Sequence, residues 1–202
     1  MFETPARHWI DTILTCAALL AAGCRGPSHS EDAIGGFRGV AVLPNSFAVF
    51  YSGCELGALA PSGAPIWRLS LPDQATIIAD VAIAPSSATY VRGSGALYAV
   101  SAEGKLLWRV VLPEPPSSMS RRSLAPVALA DSTVVILENH RQLRAFAVDG
   151  AERWSAGIPA GDAWGPLRPC PNGQVLVTTT GGIYTFSSKG DVAWSFEPPP
   201  GY

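Results

Sequence analysis

"LRAFAVDGAERW", residues 143–154, reads as a strand, a tight turn at Asp149 and Gly150, and a second strand that places Trp154 four residues after the glycine. The same spacing recurs through the chain. Gly63 precedes Trp67, Gly104 precedes Trp108, Gly150 precedes Trp154 and Gly190 precedes Trp194, with glycines 41, 46 and 40 residues apart. A self-similarity of that period marks a repeat architecture with units the length of one propeller blade.

The register extends backward from each glycine without a gap. Five residues before it stand Ala58, Ala99, Ala145 and Thr185, and seven before it Leu56, Leu97, Leu143 and Ile183. Nineteen before it stand Pro44, Pro85, Asp131 and Pro171, each followed by Asn or Ser, which are turn formers. Between these marks lie "FAVFYS", "ATYVRG", "TVVILEN" and "QVLVTTT", rich in the β-branched and aromatic residues that suit strands. Each unit therefore reads as four short antiparallel strands, with units at 40–72, 80–113, 125–159 and 167–199. Proline and glycine run through every unit and discourage helices, so none is expected after the amino-terminal segment.

A four-stranded meander leaves edges and an apolar face exposed, and repetition around an axis buries each face on its neighbour. The expected fold is all-β, a propeller of four-stranded blades. The small residue, turn glycine and tryptophan together resemble the PQQ-like repeat of the quinoprotein dehydrogenase-like superfamily. The pattern is similar also to envelope lipoproteins of outer-membrane β-barrel assembly that join such repeats to an acylated cysteine. That resemblance implies that the four tryptophans fill the space between blades, each offering its indole N–H to a neighbouring carbonyl. Relatives close with more than four blades, so three outcomes stay open: a compact four-bladed ring, an open or partial ring completed by a homodimer, or part of a longer chain.

Residues 1–23 form a different text. Arg7 and His8 precede the apolar run "ILTCAALLAAG", which is too short for the roughly 20 residues a membrane span needs and reads as the core of a signal peptide. "LLAAGC", residues 19–24, resembles a bacterial lipobox, which implies cleavage before Cys24 and its lipidation. Residues 24–39 are polar and glycine-containing, a flexible tether ahead of the repeats at 40–202. The expected address is the bacterial cell envelope, lipid-anchored at the outer membrane and facing the periplasm, with Arg25 after the cysteine as the pointer away from the inner membrane.

Composition excludes some classes. With 48% hydrophobic residues, 15% charged and a formal charge of −2, the chain can build a core but carries no basic field for nucleic acid. Quinone dehydrogenases of the resembled superfamily hold their cofactor with adjacent cysteines and bind calcium through an acidic cluster. This chain has neither, so the expectation is no cofactor and no enzymatic activity. The competing class is a PQQ-binding quinoprotein-like enzyme or redox subunit, complete only as an oligomer or with a partner chain. Of the three histidines, His140 stands at a turn tip without the converging ligands a metal needs. Cys54 and Cys170 fall at turns on opposite ends of a strand, about 20 Å apart, and are expected not to pair.

Function then falls to the unequal loops. Trp164 lies outside the repeat, between the third and fourth units. Residues 114–126 form the longest excursion and carry Arg121 and Arg122. These three are the candidate contacts for a protein partner, and the reading is a non-catalytic scaffold for protein–protein interaction.

Overall fold

The computed structural model describes residues 39–42, 48–119 and 124–199. Among these residues sixteen strands form four antiparallel sheets, each built from four strands consecutive in sequence and hydrogen-bonded in chain order. The first sheet comprises β1 (Gly39–Val42), β2 (Ala48–Ser52), β3 (Glu55–Leu59) and β4 (Pro65–Ser70). The second comprises β5 (Ala82–Ile83), β6 (Thr89–Gly93), β7 (Ala96–Val100) and β8 (Leu106–Val111). The third comprises β9 (Val127–Ala128), β10 (Val134–Asn139), β11 (Gln142–Phe146) and β12 (Glu152–Gly157), and the last β13 (Arg168–Pro169), β14 (Val175–Thr179), β15 (Gly182–Phe186) and β16 (Val192–Phe196). The fold is an all-β propeller repeat. The 3-10 turn at Pro72–Gln74 departs from the sequence reading, and its proline occupies the first helical position that tolerates it.

Each sheet ends in the same hairpin. The N–H of Gly63, Gly104, Gly150 and Gly190 bonds the carbonyl three residues earlier at 2.8–3.0 Å, and each glycine has a φ between +79° and +89°. This is a type I turn closed by a left-handed residue, which only glycine adopts without strain. Past the turn the pairing shifts by one residue in every sheet, so that Trp67, Trp108, Trp154 and Trp194 lie opposite Ala58, Ala99, Ala145 and Thr185. Directly opposed residues hold their Cβ atoms about 5 Å apart. A small residue there leaves room for the indole, which explains why the position five before the glycine is alanine or threonine.

The chain divides into two compact units, 1–77 and 78–202. In the first, the sheet buries Val49, Phe50, Tyr51, Leu56 and Ala58, and Leu71 and Ile77 donate backbone bonds to the carbonyls of Cys54 and Gly53. In the second, three sheets stack face to face with β9 between β5 and β13. Tyr90, Leu97 and Ala99 pack on Val134, Ile136 and Phe146, while Val135, Leu137, Leu143 and Ala145 pack on Val175, Val177, Tyr184 and Phe186. The central strand β10 is thus apolar on both faces over Val134–Leu137.

The tryptophans lock this stack. Trp108 Nε1 donates to the Val148 carbonyl at 2.7 Å, and Trp154 Nε1 donates to that of Ser188 at 3.0 Å. Each ring covers the turn glycine two residues beyond the acceptor so closely that a Cβ on Gly150 or Gly190 would stand 2.9 Å from indole carbons. Trp194 departs from this arrangement: it is 53% exposed.

Replacing Gly150 by alanine adds both a strained φ and a clash with Trp108, an expected loss of about 1–3 kcal/mol. Trp108→Ala is expected to cost about 2–4 kcal/mol. Because the two groups touch, urea denaturation of the double variant should show a total loss smaller than the sum by more than about 0.5 kcal/mol; simple additivity would contradict the docking.

Candidate functional site

Two features at one end of the strands of the second unit are candidates, a layer of charge between sheets and the loop surface beside it. The layer begins with Arg92, next to the end of β6 and fully buried. Its face of β6 and β7 meets the face of β10 and β11 that carries Arg144, which packs over the Phe146 ring at 5.0 Å. Arg144 bonds Glu138 at 2.7 Å and Glu152 at 2.6 Å. None of the three guanidinium nitrogens of Arg92 has a hydrogen-bond partner among the described residues. Burial pushes the Arg92 pKa down to about 10; Glu138 opposes that shift and Arg144 adds to it. For Arg144 burial also acts downward, but its bonds to Glu152 and Glu138 outweigh it and hold the pKa above the usual arginine value.

Arg92 and Glu138 both stand twelve residues before the turn glycine, but in the sheets it is Leu137, opposite Leu143, that holds the place of Arg92 opposite Leu97. The pairing of β10 with β11 shifts between Leu137 and Asn139, which takes Glu138 out of the ladder. Counting back from the glycine marks both positions as polar in the sequence, but only the slip turns Glu138 toward the face that carries Arg92.

The loop surface is built by backbone. The segment from Ile158 to Leu167 joins β12 to β13 and is tied to both sheets. Ile158 and Ala163 donate to the carbonyls of Arg141 and His140, while Thr180 N–H donates to Asp162 and Asp162 N–H to the Thr180 hydroxyl at 3.1 Å. The buried Thr179 hydroxyl lies 2.9 Å from the Ala160 carbonyl and accepts the Gly181 N–H at 3.1 Å. Gly161, at φ +73°, lies against the Gly181 backbone with no room for a Cβ. On this frame Trp164 stands 63% exposed, the most exposed aromatic side chain among the described residues. Arg141 and Asp162 form an ion pair at 2.7 Å beside it, and the Arg141 hydrogen bond is the main reason the Asp162 carboxyl lies below its ordinary value.

His140 is better connected than its turn position suggests. Its Nδ1 lies 3.1 Å from the Ala163 carbonyl, and its Nε2 lies 2.8 Å from the Ser118 hydroxyl. A carbonyl can only accept, so Nδ1 donates to it, and Nε2 shares a hydrogen bond with the serine hydroxyl. The pair latches the long 112–119 segment onto the β10–β11 turn across 22 residues of sequence, a relation no local pattern encodes.

The remaining sequence candidates are quickly placed. Cys170 is a free thiol, so it does not pair with Cys54. Cys24, Arg121 and Arg122 lie outside the described residues. Among the described residues no group of three potential metal ligands converges, and no helix is long and apolar enough to cross a membrane.

The charge layer costs stability at neutral pH. A base whose folded pKa is depressed binds fewer protons when folded between about 10 and its unfolded value, so stability from this group rises with pH across that window. Arg92→Met, close in volume and surrounded by Tyr90, Leu97 and Ile136, is therefore expected to stabilise the chain by about 1–4 kcal/mol at pH 7. That gain should shrink above pH 10. Glu138→Gln, which strips countercharge from two arginines, is expected to destabilise by about 3–5 kcal/mol. Melting curves of the two variants should move in opposite directions, and a destabilised R92M protein would refute the account.

Comparison with known proteins agrees with this geometry. No functionally curated protein matches the sequence. Among solved structures, a streptogramin B lyase aligns at a TM-score of 0.65 and 12% identity over 90% of this chain and 61% of its own. Virginiamycin B lyase from Staphylococcus aureus aligns at 0.65 and 13% over 85% and 58%, and the C-terminal WD40 domain of Sif2 at 0.66 and 14% over 86% and 49%. The chain thus spans about half to three-fifths of the length of these structures, and at such identities the likeness concerns the propeller fold alone. The sequence itself carries the closer relation: residues 52–195, from the end of β2 to the penultimate residue of β16, match the model of the family described as outer membrane protein assembly factor BamB, and the chain belongs to that family.

Proposed function

We propose that this chain is a non-catalytic β-propeller scaffold for protein–protein interaction in the bacterial envelope, held at the outer membrane on its periplasmic side by a lipid on Cys24. The observation that carries the interaction reading is Trp164: an exposed indole on a loop fixed by backbone bonds to two blades. Tryptophan is enriched among the few residues that dominate binding energy, and a side chain presented on an ordered frame loses little further freedom on association. The family description, outer membrane protein assembly factor, supports the envelope address and an assembly role. The sequence "LLAAGC" supports the tether, since acyl chains contribute about 0.8 kcal/mol per buried methylene.

The test is photo-crosslinking and affinity capture from native envelopes with Cys24 intact. Trp164→Ala is expected to weaken partner binding by about 2 kcal/mol, roughly thirtyfold, with no change in melting temperature. Cys24→Ala should release the protein from the membrane fraction. Unchanged partner recovery from W164A would sink the reading of Trp164, and membrane retention of C24A would sink the lipid tether.

A further inference from the structure

Arg92 is fully buried, and its Nε, Nη1 and Nη2 atoms all lack a hydrogen-bond partner among the described residues. A guanidinium offers five N–H donors in a rigid fork, and a buried donor without an acceptor is strongly disfavoured, more so when charged. The usual remedies are closed to this side chain. It keeps its charge near neutrality, since its pKa falls only to about 10. Its backbone is held, the carbonyl accepting the Ile78 N–H at 3.0 Å and the residue pairing with Leu97. Glu138 acts on it through space and gives its direct bond, at 2.7 Å, to Arg144. Glu152 also bonds Arg144, at 2.6 Å, so both carboxylates of the cluster already serve the other guanidinium.

We propose that Arg92 binds a small monovalent inorganic anion, of the size of chloride, between the second and third sheets. The fork supplies charge-assisted N–H bonds, and the apolar side chains of Leu97 and Ile136 wall the ion from water, where such bonds are strongest. Charge and size follow from the surroundings. Glu138 is near enough to act on Arg92, so a divalent anion would meet more repulsion than a monovalent one. Full burial leaves no open surface on which the remainder of a bulky anion could rest. The way in passes the turn after Arg92, where Gly93, Ser94 and Gly95 carry no large side chain and an added Cβ on Gly95 would meet nothing within 4 Å. The ion site shares no residue with the Trp164 surface and does not depend on it.

The test follows thermal unfolding of the full chain at pH 7 while sodium chloride replaces sodium gluconate at constant ionic strength. The melting temperature of the unaltered chain should rise by about 2–6 °C between trace and about 0.3 M chloride. Arg92→Met should show no such rise, so its stability advantage shrinks as chloride is added. Glu138→Gln removes the carboxylate that repels the ion, so chloride should bind that variant about tenfold more tightly and restore part of its lost stability. Crystals grown in bromide should give an anomalous peak at the Arg92 guanidinium. A chloride response of equal size in R92M means a general salt effect and overturns the proposal. So does no response in the unaltered chain, a weaker response in E138Q, or the absence of bromide at Arg92.

Discussion

The stack of sheets in the second unit depends on one contact, an indole ring laid on a glycine turn with its N–H on a carbonyl two residues earlier. The contact couples three requirements that no single residue meets. The turn must place a residue at positive φ, the turn surface must lack a Cβ, and the strand leaving the turn must slip by one residue so that its tryptophan faces the next sheet. Glycine meets the first two together. The register shift meets the third and sets the tryptophan against alanine or threonine, whose small side chain accepts it. The repeat motif is therefore a description of an interface as much as of a hairpin, since the glycine serves the tryptophan of the preceding blade and the tryptophan serves the glycine of the following one.

Apolar packing fills the rest of these interfaces, and the charge of Arg92, Glu138 and Arg144 is the exception that the packing has to tolerate. Arg92 is surrounded by the same apolar face that lets Leu97 and Ala99 pack on β10 and β11. A guanidinium there has lost water without gaining bonds, which is why its pKa falls. Glu138 stands out of the ladder where the pairing with β11 slips, and from there its carboxylate serves Arg144 by a direct bond and Arg92 through space. Arg144 is shared by Glu138 and Glu152, so the charges of the cluster balance, and Arg92 is the guanidinium left without a direct bond among the described residues.

How far the sequence discloses this depends on repetition. The blade boundaries, the hairpin glycines and the tryptophans are legible because four copies agree, and a turn glycine followed by tryptophan has a physical reason to recur. Features that occur once are not legible in this way. Arg92 and Glu138 stand at the same count before the turn glycine, but their proximity needs the face of each strand, and a single slip at Glu138 reverses the alternation on which such a reading relies. Ser118 and His140 meet because a long loop folds back on a turn, and loop closure over that distance leaves no periodic trace. Pro72–Gln74 forms its 3-10 turn from residues that also suit a plain loop. In each case the missing information is long-range placement, which pattern alone does not carry.

The two tryptophans exposed among the described residues differ in their place in the chain. Trp194 belongs to the repeat and stands opposite Thr185 in the pairing that sets Trp108 and Trp154 opposite alanine. Trp164 belongs to no repeat. It is held out by backbone bonds from Ala163 and Thr180, by the Thr179 hydroxyl and by a glycine contact at Gly161 that admits no side chain. An ordered loop that holds an indole at the surface leaves its side chain little further freedom to lose on association, so the cost of ordering is met by the fold.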